Sequence, residues 1–303
     1  MSVPTDPSAA RVPSVQLAVA MALAGTLGLF VKKAGIGAVD AVFWRCLIGA
    51  AVMAAYVSAR GLWRQPFGSR RDLVVALAGG ISIVANWVLA FAAFDYVSIT
   101  LMTIVYHVQP FFVLGLAFLA YGERVTRVQV AWVGLAFAGL VLAIGFDPEL
   151  SGDPRRILVG AALGLGSAFL YACAVIAAKG VRATRPEVLT ATHALIGAVV
   201  LYPLTALSPE AIPAASWPWL AGLGIFHTGL VYVLMYAAYP RLPSATIAVL
   251  TFVYPVTALL SDATVFGTRI TTAQIAGMGL IALATLAVQR GWTLRRRVAH
   301  PRP

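Results

Sequence analysis

Ten apolar runs constrain this chain more than any single motif: residues 14–31, 39–59, 73–94, 97–119, 128–145, 157–178, 188–207, 217–239, 244–266 and 272–289. A helix rises ~1.5 Å per residue and the hydrocarbon core of a bilayer is ~30 Å thick, so ~20 mostly apolar residues cross it. Lipid offers no partner to the backbone, so runs of this length close their hydrogen bonds internally, as helices. Charged residues make up 11% of the chain and apolar ones 60%, against roughly 25% charged in a soluble domain. Those charges are too few to cover a water-facing surface. The composition excludes an intrinsically disordered chain, a disulfide-stapled secreted domain and a conventional cytosolic enzyme. The expectation is an all-α membrane protein whose solvent is the lipid bilayer, with connections too short for a soluble module.

The first run has a basic residue before it and small residues at Ala18, Ala20 and Ala22, which raises the possibility of a cleaved signal peptide. It is nevertheless long enough to span and leads straight into Lys32 and Lys33, so it is read as a retained span.

A net charge of +11 could draw nucleic acid, but the basic residues stand singly between apolar runs, with a short Arg295-Arg296-Arg297 cluster at the end. That distribution orients a membrane protein; no nucleic-acid partner is expected. With the N-terminus inside, 16 of the 22 Lys and Arg fall on the cytoplasmic side. Five (Lys32, Lys33, Arg155, Arg156 and Arg269) fall on the other, and Arg45 lies within the second run. Both termini are therefore expected in the cytoplasm. Cys46 and Cys173 lie far apart without any metal-ligand spacing, so no metal, no cofactor and no disulfide are expected.

The chain repeats itself at an offset of 145 residues. Gly122 to Leu135 (GERVTRVQVAWVGL) aligned on Gly267 to Leu280 (GTRITTAQIAGMGL) gives seven identities in fourteen positions. Pro110 falls on Pro255 and Ala92-Ala93 on Ala237-Ala238. At an offset of 148, Arg45-Cys-Leu-Ile-Gly-Ala lies on His193-Ala-Leu-Ile-Gly-Ala. The chain thus divides into two five-span repeats, 1–147 and 148–303, within one membrane unit. Five is odd, so the second half enters the membrane from the opposite side. Inverted repeats of this kind place a midplane site at the repeat interface and support alternating access.

Paired five-span halves, a span with Pro110 followed by Gly122-Glu123-Arg124, and the degenerate copy with Pro255 and Gly267-Thr268-Arg269 resemble the drug/metabolite transporter superfamily. The arrangement is similar to its ten-span exporters, including the aromatic and neutral amino-acid exporters of the bacterial inner membrane. This resemblance implies a small-molecule substrate moved outward. Thr268 stands where the resemblance would place a second Glu, so a function built on a symmetric pair of carboxylates is not expected.

Polar groups inside hydrocarbon are expensive, and they are the first candidates for a transport site. The fourth run carries His107 and Gln109 just before Pro110, which removes a backbone donor and frees a carbonyl one turn back. The ninth run repeats the device, with Tyr254 ahead of Pro255. The third run adds Asn86 and Trp87, the sixth Tyr171, the eighth His227 and Tyr232. Asn86 and Tyr232 nearly coincide in the repeat alignment and are expected to face one another. Together Asn86, Trp87, His107, Gln109, Tyr171, His227, Tyr232 and Tyr254 would form a polar, largely uncharged pocket. Such a pocket suits an aromatic or apolar side chain and a zwitterion. Asp262, Glu123 and Arg45 are the coupling or gating candidates. Asp262 could pair with Arg269 or take up a proton, Glu123 suits a helix-end ion pair or gate, and the long stem of Arg45 could snorkel outward. In the sixth run Gly160-x-x-x-Gly164 offers a close-packing face.

The functional expectation is export of neutral or aromatic amino acids and related metabolites. The alternative is a proton-coupled exporter of cationic drugs, for which Asp262 would be the acidic residue. An intramembrane enzyme is a remoter alternative, because HExxH, GxSxG and P-loop motifs are absent. No protein partner is expected.

Overall fold

The computed structural model describes residues 11–64, 67–145, 153–205 and 208–292, and among these every regular element is helical. The Arg295–Arg297 cluster, Leu207 and the boundary between the halves at 147/148 lie outside the described residues. Ten helices are long and apolar enough to cross a membrane. They are span 1 (Arg11–Ala34), span 2 (Val39–Ala59), span 3 (Arg70–Phe94), span 4 (Leu101–Tyr121) and span 5 (Arg127–Ile144). Span 6 (Pro154–Gly180), span 7 (Pro186–Leu204), span 8 (Ala214–Arg241), span 9 (Ser244–Phe266) and span 10 (Thr272–Gln289) follow. Large apolar side chains stay exposed on the perimeter, Leu119 at 77% and Leu158 at 70% among them, as a lipid solvent demands.

Much of the repeated sequence at spans 4–5 and 9–10 encodes helix ends. Gly122 and Gly267 close spans 4 and 9 at φ 64° and 68°, a left-handed conformation that glycine adopts without strain. Thr126 and Thr271 then open spans 5 and 10 with matching capping boxes. Each threonine Oγ1 accepts from the backbone N–H of Gln129 or Gln274, whose side chain accepts in return from the threonine N–H. Four of the seven identities, Gly122, Arg124, Thr126 and Gln129 with their partners, stand within this stop-and-start device.

The packing follows the same inverted symmetry. Spans 5 and 10 pack on each other, as do spans 2 and 7. The contact of span 4 with span 6 is mirrored by that of span 9 with span 1, and the contact of span 3 with span 6 by that of span 8 with span 1. Gly139 of span 5 approaches the Gly277 carbonyl so closely that an added Cβ would lie 2.7 Å from that oxygen. Gly160 of span 6 seats Val97, just ahead of span 4, and Gly164 seats Val105, at the end of its first helical segment.

Four spans are irregular. Span 4 breaks at His107–Val108, between helices Ile99–Tyr106 and Gln109–Tyr121, and span 9 breaks at Thr251–Phe252. Pro110 and Pro255 stand in the first turns of the second segments, where a missing N–H has no intrahelical partner to lose. Span 1 also breaks, at Thr26, and span 8 contains a π-helical segment, Leu223–Leu230; neither carries a proline there. These irregularities meet. Thr26 Oγ1 lies 3.0 Å from His227 Nε2 in the π segment, and a Cβ on Gly25 would lie 2.5 Å from the Tyr254 carbonyl oxygen of span 9.

Candidate functional site

Tyr106, Tyr171, Tyr232, Tyr254 and Trp87 belong to the middle stretches of five spans, yet each keeps partial exposure. Ring contacts turn these side chains toward one another between the spans. Their rings interlock edge to face: Tyr106 and Tyr171 at 5.9 Å, Trp87 and Tyr232 at 6.4 Å, Tyr232 and Tyr236 at 5.5 Å between centroids. Tyr254 lies 6.2 Å from the His107 ring, which also stands 5.8 Å from Tyr106. Tyr106 is within electrostatic reach of Tyr171, Tyr232 and Tyr254. Spans 3, 4, 6, 8 and 9 therefore deliver one aromatic group beside the breaks. Tyr106 was not among the candidates read from sequence; its place one residue before the span 4 break is the signal that could have found it.

The polar candidates divide. Asn86 is buried and turns to span 6 rather than to Tyr232: its Nδ2 donates to the Ser167 carbonyl at 2.8 Å and to Ser167 Oγ at 2.7 Å. Its Oδ1 remains buried without a partner, as does Gln109 Oε1. His107 is buried and donates from Nδ1 to the Thr103 carbonyl at 2.8 Å, one turn back in its own helix. His227 packs under the Phe30 ring at 4.7 Å, between spans 1 and 8. Thr26 spends its hydroxyl hydrogen on the Leu23 carbonyl, so His227 Nε2 donates to Thr26 and its buried Nδ1 is left an unpartnered acceptor.

Two sequence expectations are overturned. Arg45 does not snorkel to the surface. It is 3% exposed, and its guanidinium lies 4.6 Å from the centre of the Trp87 ring. The turn of span 2 aims it inward, so the aromatic group is not uncharged. Asp262 is exposed and makes no salt bridge with Arg269, because span 9 turns that face away from the bundle.

Glu123 finds a partner that sequence spacing did not name. Its Oε1 lies 2.6 Å from Lys179 Nζ at the end of span 6, the one ion pair among the described residues. Lys179 is 2% exposed and donates as well to the Leu242 carbonyl at 2.7 Å and to Ser244 Oγ at 2.8 Å, using all three ammonium hydrogens. The Ser244 N–H donates to Glu123 Oε2 at 3.0 Å. This lock ties the ends of spans 4 and 6 to the start of span 9. Burial would raise the Glu123 pKa, but the hydrogen bond and charge of Lys179, with the Ser244 bonds, outweigh it and hold the carboxyl below its ordinary 4.5. Among the described residues no group of three or more His, Cys, Asp or Glu could hold a metal.

The threonine/homoserine exporter RhtA of Escherichia coli (strain K12) is 26% identical over 256 residues, covering 83% of this chain and 81% of that one. An uncharacterized transporter, YxxF of Bacillus subtilis (strain 168), is 27% identical over 270 residues, covering 88% of this chain and 86% of the relative. A solved crystal structure shares the fold with a TM-score of 0.79 at 20% identity, over 92% of this chain and 98% of the other. The model of the EamA-like transporter family matches twice, at residues 14–145 and 158–289, one match for each five-span half. The chain is therefore an integral membrane protein that belongs to the EamA-like transporter family.

Proposed function

We propose that this protein exports neutral and aromatic amino acids and related small metabolites across the bacterial cytoplasmic membrane by alternating access, with both termini in the cytoplasm. The observation that carries the reading is the aromatic group of Trp87, Tyr106, Tyr171, Tyr232 and Tyr254 beside the breaks of spans 1, 4 and 9 and the π segment of span 8. Broken helices at a repeat interface are where such transporters hold substrate, and π faces with a few polar atoms suit an amino acid's side chain and backbone groups. RhtA, named as an exporter of threonine and homoserine, supports the amino-acid class. The halves 1–147 and 148–303 work as one unit, their shared interface built by the pairs of spans 5 and 10 and 2 and 7, by span 6 against spans 3 and 4, and by span 1 against spans 8 and 9. A cationic-drug exporter would want an acid in the site, and exposed Asp262 does not supply it.

Counterflow in proteoliposomes tests the reading, with L-threonine, L-phenylalanine and L-lysine as labelled probes and protein-free liposomes as control. Threonine and phenylalanine are expected to exchange, and Tyr171→Ala and Tyr254→Ala to slow the exchange at unchanged incorporation. Failure of folded protein to exchange any amino acid would refute the substrate class, and full activity in both variants would remove those tyrosines from the site.

A further inference from the structure

The inverted repeat sets Arg45 of span 2 against His193 of span 7, and the structure treats them differently. His193 is closed on both sides. Its Nε2 donates to the Ala76 carbonyl at 2.8 Å, and its Nδ1 accepts from the Tyr236 hydroxyl at 2.6 Å. Arg45 occupies the equivalent position in the other half and is as deeply buried, at 3% exposure for each. Yet its Nε has no hydrogen-bond partner, and no carboxylate among the described residues lies within salt-bridge distance of it. Its neighbours are the Trp87 face, the Tyr232 and Cys46 side chains within hydrogen-bonding reach, and, within electrostatic reach, His227 and Tyr254. Three of these, Trp87, Tyr232 and Tyr254, belong to the partly exposed aromatic group of the candidate site.

A cation held away from water without an anion is costly, and native proteins leave one so only where something else supplies the charge. Stacking on Trp87 offsets part of that cost through the ring quadrupole. The guanidinium carbon lies over the ring and the Tyr232 and Cys46 side chains are within hydrogen-bonding reach of the group, while Nε keeps an unused N–H donor that a planar anion could take up. We propose that Arg45 is the binding point for a substrate carboxylate, and that the carboxylate rather than the amine is the group this transporter requires. One guanidinium matches a monocarboxylate better than a doubly charged phosphate. No acidic side chain stands among the described residues of the aromatic group to demand an ammonium; the unpartnered buried acceptors on the same spans are neutral, Asn86 Oδ1, Gln109 Oε1 and His227 Nδ1. An α-amino group is therefore accepted without being the feature that is read. The inference rests on the transport reading above but not on amino acids being the cargo.

The test is a competition series in the same counterflow assay. Labelled L-phenylalanine is competed by L-phenylalaninamide, which lacks the carboxylate, and by phenyllactate, which lacks the amine; labelled phenyllactate and labelled phenylalaninamide are also offered alone. The amide is expected to compete at least about tenfold more weakly than phenylalanine, the scale of one hydrogen-bonded charge pair, and phenyllactate to compete within a few fold. Arg45→Lys should keep part of the acid-over-amide preference and Arg45→Gln should abolish it, at unchanged incorporation. Should Arg45→Gln fail to fold, Arg45→Lys and the wild-type series still decide. Equal competition by acid and amide overturns the inference while leaving amino-acid export standing. Exchange of phenyllactate without phenylalanine supports the inference and refutes amino acids as cargo. Exchange of the amide alone overturns both.

Discussion

The Glu123–Lys179 lock lends itself to a quantitative test, because removing either partner strands the other. In Glu123→Gln the ammonium of Lys179, 2% exposed, keeps the Leu242 carbonyl and Ser244 Oγ but loses its only anion. Breaking a buried ion pair from one side costs ~3–5 kcal/mol. Glu123 retains 18% side-chain exposure, which favours the lower figure. A conformation in which spans 4, 6 and 9 separate at this end would return Lys179 to water and escape the cost. A bias of ~3 kcal/mol shifts that equilibrium more than a hundredfold toward separation. Spin labels on exposed Arg124 and Arg182, each replaced by Cys, would report it in nanodiscs as a longer distance in Glu123→Gln than in the parent. The double variant Glu123→Gln, Lys179→Met, which strands no charge, should return most of the way. Acid should imitate the single variant. The carboxyl is held below its ordinary 4.5, so its stabilising contribution is complete above that value and is lost as pH falls below it. An unchanged distance distribution and an unchanged thermal midpoint in Glu123→Gln would refute the reasoning.

Three further expectations follow from particular contacts. Thr126→Ala and Thr271→Ala each remove one capping box and should each lower stability by ~1 kcal/mol, read as matching drops in thermal midpoint. Gly25→Val puts a side chain against the Tyr254 carbonyl and Thr257; overpacking should cost ~1–3 kcal/mol and slow counterflow by separating the breaks of spans 1 and 9, whereas wild-type rates would show that contact to be dispensable. Asp262→Asn should leave the rate and the response to an imposed pH gradient unchanged, since the carboxylate is exposed and unbridged to Arg269; loss of a pH response would reinstate it.

The spans were legible because lipid reads length and hydrophobicity, both local properties of the chain. The repeat was legible because Gly122, Thr126 and Gln129, with Gly267, Thr271 and Gln274, build helix ends whose chemistry leaves little choice of residue. The breaks near Pro110 and Pro255 announced themselves through proline. Those in spans 1 and 8 did not, because they depend on an encounter between Thr26 and His227, 201 positions apart. The same limit hid Lys179 as the partner of Glu123. Arg45 was misread outward and Asp262 inward for one reason: a charge in an apolar run reveals its cost but not the rotation of its helix. Tyr106 was passed over because aromatic residues are common in such runs, and only the convergence of five spans separates it from the rest.

The two ends of the bundle are fastened by different physics. At one, Glu123 and Lys179 hold spans 4, 6 and 9 by charge. At the other, the repeat sets Thr268 where Glu123 would stand, and aromatic contacts, Phe30 on Trp219, Trp44 on Trp217 and Lys32 over Phe266, stand beside polar ones from Arg156 to the Asp95 carbonyl and from Thr205 to Asp40. Acid acts on the first fastening and cooling, which weakens apolar association, acts chiefly on the second. Two solvent variables thus act unequally on the two ends of the bundle, and a pH series crossed with a temperature series would resolve in one protein which end loosens first.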